Sequence, residues 1–149
     1  MEKILKEWKK VLETDLVYIC SEVESEIERP AVIFLEGKVG AGKTTFAQYF
    51  SGNRTMSPTY SILNEVGAML HGDFYRLEDS QEIIHLDLSA QLEGKEIFLA
   101  EWGWKYLPVL IQYIPDNFHY YRLLINDEIE GNSSPNLRNF KLYFVNPLV

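Results

Sequence analysis

The chain has 149 residues, 46% of them hydrophobic and 24% charged, with a formal net charge of −8. That size and balance predict one globular domain over 1–149 with a sizeable core. No run of 18 or more apolar residues occurs, so no membrane-spanning helix is expected, and the net charge argues against a direct nucleic-acid binder, which usually shows a basic stripe. Cys20 is the single cysteine, so no internal disulfide is expected, and Met1–Lys10 lacks the apolar segment of a secretory signal. A reducing, cytoplasmic setting follows as the expectation.

In chain order, residues 1–12 carry apolar side chains at Ile4, Leu5, Trp8, Val11 and Leu12, a spacing that reads as a helix. Lys3, Lys6, Lys9 and Lys10 would then form a solvated helix face. Residues 15–28 place Leu16, Ile19, Cys20, Val23 and Ile27 on one helical face, with Thr14 or Asp15 as the N-cap and Cys20 in the core. Arg29-Pro30 ends that helix, and Ala31–Glu36 is an apolar run of strand length. Thr44 to about Phe50 suits a short helix. Stretches at 59–66 and 68–74 with Gly67 between them predict a hairpin. Residues 79–89 read as a helix, Glu96–Ala100 as a short buried strand, and 105–114 as a broken helix or turn around Pro108. Strands are expected at 119–126 and 139–145, separated by a flexible loop at Gly131–Asn136. There are no internal repeats. A β-α-β unit with added strands predicts an α/β sandwich around a mixed sheet.

The chemistry concentrates in Gly37-Lys38-Val39-Gly40-Ala41-Gly42-Lys43-Thr44. This matches G-x-x-x-x-G-K-[ST] in full, and it sits between a strand and a helix. Glycines let successive backbone N–H groups turn inward on an anion, and the helix N-terminus that follows adds roughly half a positive charge. Gly37, Val39, Gly40, Ala41, Gly42, Lys43, Thr44 and Thr45 are therefore the predicted nucleotide-phosphate contacts. Lys43 would reach the outer phosphates and the Thr44 hydroxyl would ligate magnesium.

A cradle needs a carboxylate for the metal and a means of orienting water. The strand at 96–100 runs into Glu101, the arrangement that sets an acid at the sheet edge beside the loop. Asp73 ends the other candidate strand, in His71-Gly72-Asp73-Phe74-Tyr75-Arg76. His71 reads as a satisfied sheet histidine, His85 and His119 as structural, and Arg76 as a surface partner. Ser57-Pro58-Thr59-Tyr60 lies where nucleotide switches carry a metal-touching threonine; an ordinary proline turn reads equally from the residues alone.

Taken in order, the 35–46 segment, Ser57-Pro58-Thr59-Tyr60, His71 to Leu77 and Glu101-Trp102 resemble TsaE (formerly YjeE), the bacterial P-loop ATPase family of tRNA threonylcarbamoyl-adenosine biosynthesis. The likeness covers about residues 14–125. It implies a P-loop NTPase-like three-layer sandwich with a mixed, mostly parallel central sheet. It also implies weak Mg2+-dependent ATP hydrolysis and assembly with TsaB and TsaD, the latter performing the transfer to tRNA. On that resemblance Asp73 and Glu101 are the catalytic acids, Thr44, Thr59 and Glu101 hold the metal, and Thr14 lies near the adenine. Trp102 either packs or touches nucleotide. The chain departs from the family at Lys38-Val39, where Asp-Leu is usual, at Gly103 in place of proline, in the short link from Phe50 to Ser57, and beyond about Asn126. Two other functions use a glycine loop. A small-molecule kinase would transfer phosphate to an acceptor, and no arginine-rich lid is visible for one; a GTPase switch would need an N-K-x-D motif, which does not occur.

Overall fold

The computed structural model describes residues 1–52, 61–127 and 136–148. Its centre is strand β2 (Ala31–Glu36), whose first five residues are buried. Side chains alternate along a strand, so Ala31, Ile33 and Leu35 join one apolar cluster and Val32 and Phe34 join another on the opposite face. A strand buried on both sides requires a layer on each.

The neighbours of β2 make a seven-stranded sheet. With β1 (Glu2–Val11), β3 (Leu63–Val66), β4 (Met69–Asp73), β5 (Ile97–Glu101), β6 (His119–Asn126) and β7 (Arg138–Val145), the order is β1-β7-β6-β2-β5-β4-β3. The β6-β2, β2-β5 and β5-β4 pairs are parallel, while β1-β7, β6-β7 and β3-β4 are antiparallel. Five of the seven strands therefore run in one direction. The expected three-layer, mixed and mostly parallel architecture is what the chain adopts.

One outer layer holds helices α1 (Leu16–Glu26) and α2 (Lys43–Ser51). Leu16, Ile19, Cys20 and Val23 form the buried stripe of α1, as their spacing predicts. Burial pushes the Cys20 thiol up to about 12, which leaves it neutral and unreactive at physiological pH. Asp15 occupies the N-cap position, but its carboxylate accepts the Leu12 N–H at 2.9 Å and caps no helical amide. On α2, Phe46 is fully buried and its ring lies 5.5 Å from Phe50 and 6.0 Å from Phe140 of β7. The other layer is irregular. It contains a 3-10 segment at Ser80–Leu86, a one-turn helix α3 (Leu88–Gln91), a 3-10 turn at Trp104–Tyr106 and helix α4 (Leu107–Leu110), with Pro108 in its first turn.

Two expectations fail. Residues 1–12 are a strand, not a helix. Register shifts between Ile4 and Lys6 and between Trp8 and Val11 insert extra residues into β1, and Lys10 adopts φ 55°. Each bulge breaks the two-residue period, so half-buried Leu5 and buried Trp8 and Val11 fall three apart on the inner face and imitate a helix. The side chains then lock the strand onto α1: Trp8 Nε1 donates to Glu22 Oε1 at 2.8 Å, and Lys6 pairs with the same carboxylate. The lysines therefore lie along an edge strand, where charge discourages further pairing. The second failure is the helix at 79–89, which divides at Asp87 (φ 56°). Buried Ile83 and Leu88 stand five residues apart, and the break turns both inward where one continuous helix would not. The strand at 96–100 is shifted by one, so Glu101 is its last residue. The start of the predicted 59–66 strand and most of the loop at Gly131–Asn136 lie outside the described residues.

Candidate functional site

Strand parity assembles the site. His71 and Asp73 on β4 share the face of Met69, and Glu101 on β5 shares that of Ile97 and Leu99. All three therefore point toward the layer that holds α2. Parallel pairing sets Asp73 directly opposite Glu101, and both acids reach the carboxyl edge of the sheet, where the loop of residues 37–42 leaves β2 and enters α2. In open α/β sheets this edge is where ligands bind.

The loop geometry demands its glycines. A Cβ on Gly37 would lie 2.5 Å from the Ile125 carbonyl oxygen, and Gly42 opens α2 at φ 109°. Lys43 is 5% exposed. Its Nζ donates to the Gly37 carbonyl at 2.5 Å and the Lys38 carbonyl at 2.9 Å, and it stands 4.0 Å from the centre of the Trp102 ring. Burial lowers the Lys43 pKa below 10.5, while the Glu101 and Asp73 charges oppose that shift. Trp102 takes φ 60°, a left-handed turn that costs roughly 1–3 kcal/mol for a bulky residue and accompanies the placement of its ring beside Lys43 and 5.0 Å from the Tyr75 ring.

Glu101 is 2% exposed. Each carboxylate oxygen has a partner: Thr44 Oγ1 donates to Oε1 at 3.0 Å, and His71 Nε2 lies 2.5 Å from Oε2. His71 is satisfied, as expected for a sheet histidine, but its partner is the acid at the centre of the cleft. Asp73 is exposed and accepts the Tyr75 N–H at 3.1 Å. Lys43, Thr44, Asp73, Tyr75, Glu101 and Trp102 line a cleft of about 300 Å3 that also contains Val39, Gly40, Gly42 and Thr45, with His71 behind Glu101. A second cleft of about 410 Å3 shares Gly40, Gly42 and Thr45 with it and adds Ala41, Leu12, Thr14 and Arg138. Ten of the predicted positions thus converge around the two clefts. Gly37 contributes its carbonyl and its close packing instead, and Thr59 lies outside the described residues. His85 and Arg76 are exposed, and His119 contacts the Pro30 carbonyl and Glu28 at the far end of the sheet.

The donor set suits a hard divalent ion that keeps most of its shell from water and substrate. Thr44 and Glu101 offer adjacent oxygens, and among the described residues no group of three or more His, Cys, Asp and Glu side chains could hold a metal alone. Magnesium bound through one or two protein oxygens plus phosphates has this character.

Residues 11–132 match the family model described as threonylcarbamoyl adenosine biosynthesis protein TsaE. The chain belongs to the TsaE family. Curated TsaE relatives described as tRNA threonylcarbamoyladenosine biosynthesis proteins include that of Bacillus subtilis (strain 168), 38% identical over 81 residues, covering 48% of this chain and 50% of the relative. The TsaE of Nostoc sp. is 36% identical over 103 residues, covering 56% and 63%, and that of Aquifex aeolicus 31% over 111 residues, covering 67% and 78%. The chain thus spans about half the length of the first of these relatives. The crystal structure of YdiB from Bacillus subtilis matches with a TM-score of 0.66 at 23% identity, covering 98% of this chain and 88% of that one, which supports the fold. Among the described residues no helix is long and apolar enough to cross a membrane.

Sequence reasoning missed two parts of this candidate site. His71 was legible only as a sheet residue, because its contact with Glu101 spans two strands. Arg138 lies beyond the segment that carries the family motifs, and no local signal marks it.

Proposed function

We propose that this TsaE chain binds MgATP on the 37–44 loop, hydrolyses it slowly by itself, and serves as an accessory subunit in tRNA threonylcarbamoyladenosine biosynthesis alongside TsaB and TsaD counterparts. The observation that carries the reading is the contact of Thr44 with buried Glu101 beside the Lys43 ammonium. It brings a hydroxyl, a carboxylate and a cation to one helix N-terminus, the parts that phosphoryl transfer requires.

Thr44 and Glu101 would hold the magnesium, which supplies charge neutralisation at the phosphate oxygens. Lys43 exchanges its loop carbonyls for phosphate oxygens, so its burial is compensated by a charged partner. His71 holds one oxygen of Glu101 and leaves the other facing Thr44. Asp73, exposed at the strand end, orients water. Thr14 borders the cleft next to the loop, on the side where the base would sit. Net charge −8 fits a subunit that leaves tRNA contact to its partners.

The test is calorimetric binding of MgATP followed by phosphate release with and without TsaB and TsaD. Lys43→Ala should weaken ATP about a hundredfold, because it removes charge-assisted hydrogen bonds. GTP competing at equal potency would defeat the adenine assignment. Phosphorylation of a small-molecule acceptor would replace the ATPase reading with a kinase.

A further inference from the structure

Arg138, the first residue of β7, reaches the outside of the phosphate loop. Its Nε donates to the Ala41 carbonyl at 2.9 Å, its Nη2 to the Gly40 carbonyl at 3.3 Å, and its Nη1 to the Leu137 carbonyl at 2.9 Å. Strand parity explains the aim. Arg138 and Phe140 are two apart on β7, and Phe140 packs against Phe46 of α2, so Arg138 projects toward the same layer one step nearer the loop.

The two carbonyls it holds belong to the peptides 40–41 and 41–42, each flanked by a glycine with positive φ: Gly40 at 83° and Gly42 at 109°. Glycine makes such a peptide easy to rotate. In a trans peptide the C=O and N–H point in opposite directions, so a clamp on the oxygen fixes where the hydrogen points. The 40–41 peptide demonstrates this: its oxygen faces Arg138 and its N–H, that of Ala41, donates away to the Lys38 carbonyl at 3.0 Å. The 41–42 peptide, held the same way, directs the Gly42 N–H away from Arg138. An anion-binding loop works only while its N–H groups keep one orientation.

We infer that Arg138 is a positioning residue: by holding the Gly40 and Ala41 carbonyls outward it keeps the Ala41 N–H on the Lys38 carbonyl and the Gly42 N–H set for phosphate. The inference rests on the ATP reading above. It assigns the C-terminal strand a part in the nucleotide site that no motif in the chain announces. The guanidinium spreads its donors over a rigid fork, Nε on the Ala41 carbonyl and Nη2 on the Gly40 carbonyl, a spacing that the single nitrogen of a flexible ammonium does not fix.

The experiment titrates MgATP, tripolyphosphate and adenosine separately into the unaltered chain and into Lys43→Ala, Arg138→Ala and Arg138→Lys. Arg138→Ala should weaken MgATP and tripolyphosphate by the same factor, about tenfold for the loss of charge-assisted bonds, and leave adenosine within about twofold. Arg138→Lys should recover only part of that loss. Exchange of the Ala41 amide, which donates to the Lys38 carbonyl, should quicken in both variants. A wild-type chain that binds neither MgATP nor tripolyphosphate overturns the ATP reading and this inference together. Wild-type binding that Lys43→Ala loses, with both Arg138 variants unchanged toward tripolyphosphate, overturns this inference alone. Full recovery by lysine, or a loss confined to adenosine, also overturns it, the first pointing to simple charge attraction and the second to a wall of the base cleft. If Arg138→Ala does not fold, Arg138→Lys decides by the same criterion.

Discussion

The two halves of the sheet were built for different work. On one side of β2, the parallel strands β5 and β4 deliver Glu101, His71 and Asp73 to a single edge. On the other, the antiparallel ribbon of β6, β7 and β1 brings long paired strands, bulges and lysines. The parallel half meets the loop with two acids and a histidine, side chains whose type and spacing along the strand can be read from the residues. The antiparallel half meets the loop through shape and backbone: the Ile125 carbonyl against Gly37, the Phe140 ring against Phe46, and the Arg138 guanidinium on two carbonyls. Contacts of that kind can position a site without leaving a motif.

Phe46 is fully buried in the apolar cluster that contains residues of both halves, so its removal should have the largest effect on the fold. Phe46→Ala should cost roughly 3–5 kcal/mol, the range for deleting a buried aromatic ring, and urea unfolding would measure it. A loss under 1 kcal/mol would mean that the halves do not depend on α2 for their union. Within the parallel half, Glu101→Ala should lower phosphate release by roughly a hundredfold, the scale for losing one electrostatic group at a reacting centre. Turnover equal to wild type would remove Glu101 from the site. His71→Ala tests whether the histidine holds that acid. ATP affinity should become less dependent on Mg2+ concentration, by about tenfold for a lost bond to a charged group, while affinity without Mg2+ stays level. A fall in both would indicate general loosening of β4.

The smallest expected effect concerns pH. Phosphate favours the charged form of Lys43, and burial makes that form harder to keep in the free protein, so the free lysine deprotonates below 10.5. Affinity should hold at lower pH and decline as pH rises through that depressed value, earlier than an ordinary lysine would dictate. Calorimetric Kd values between about pH 7 and pH 10 would display the slope, and Lys43→Arg should flatten it.

The loop, β2, α1, α2 and the paired acids were legible because each has a local cause: apolar runs, glycine spacing, a helical stripe, an acid after four apolar residues. The N-terminal strand was not. Its bulges put Leu5, Trp8 and Val11 at helical intervals, and only pairing with β7 reveals the strand. The 79–89 segment was misread for a related reason, since buried Ile83 and Leu88 are reconciled by a left-handed Asp87 rather than by a helical period.

By itself, then, the amino-acid order determined the glycine-rich loop between β2 and α2, the acids that end β4 and β5, the layered α/β architecture and membership of the TsaE family, because each of these depends on which residue types follow one another at short range. The tertiary structure alone decided that His71 meets Glu101 across two strands, that Trp102 turns back over Lys43, and that Arg138 reaches the loop from 97 residues away in the chain. Those contacts arise from strand order and parity, which bring together residues that no short-range spacing connects.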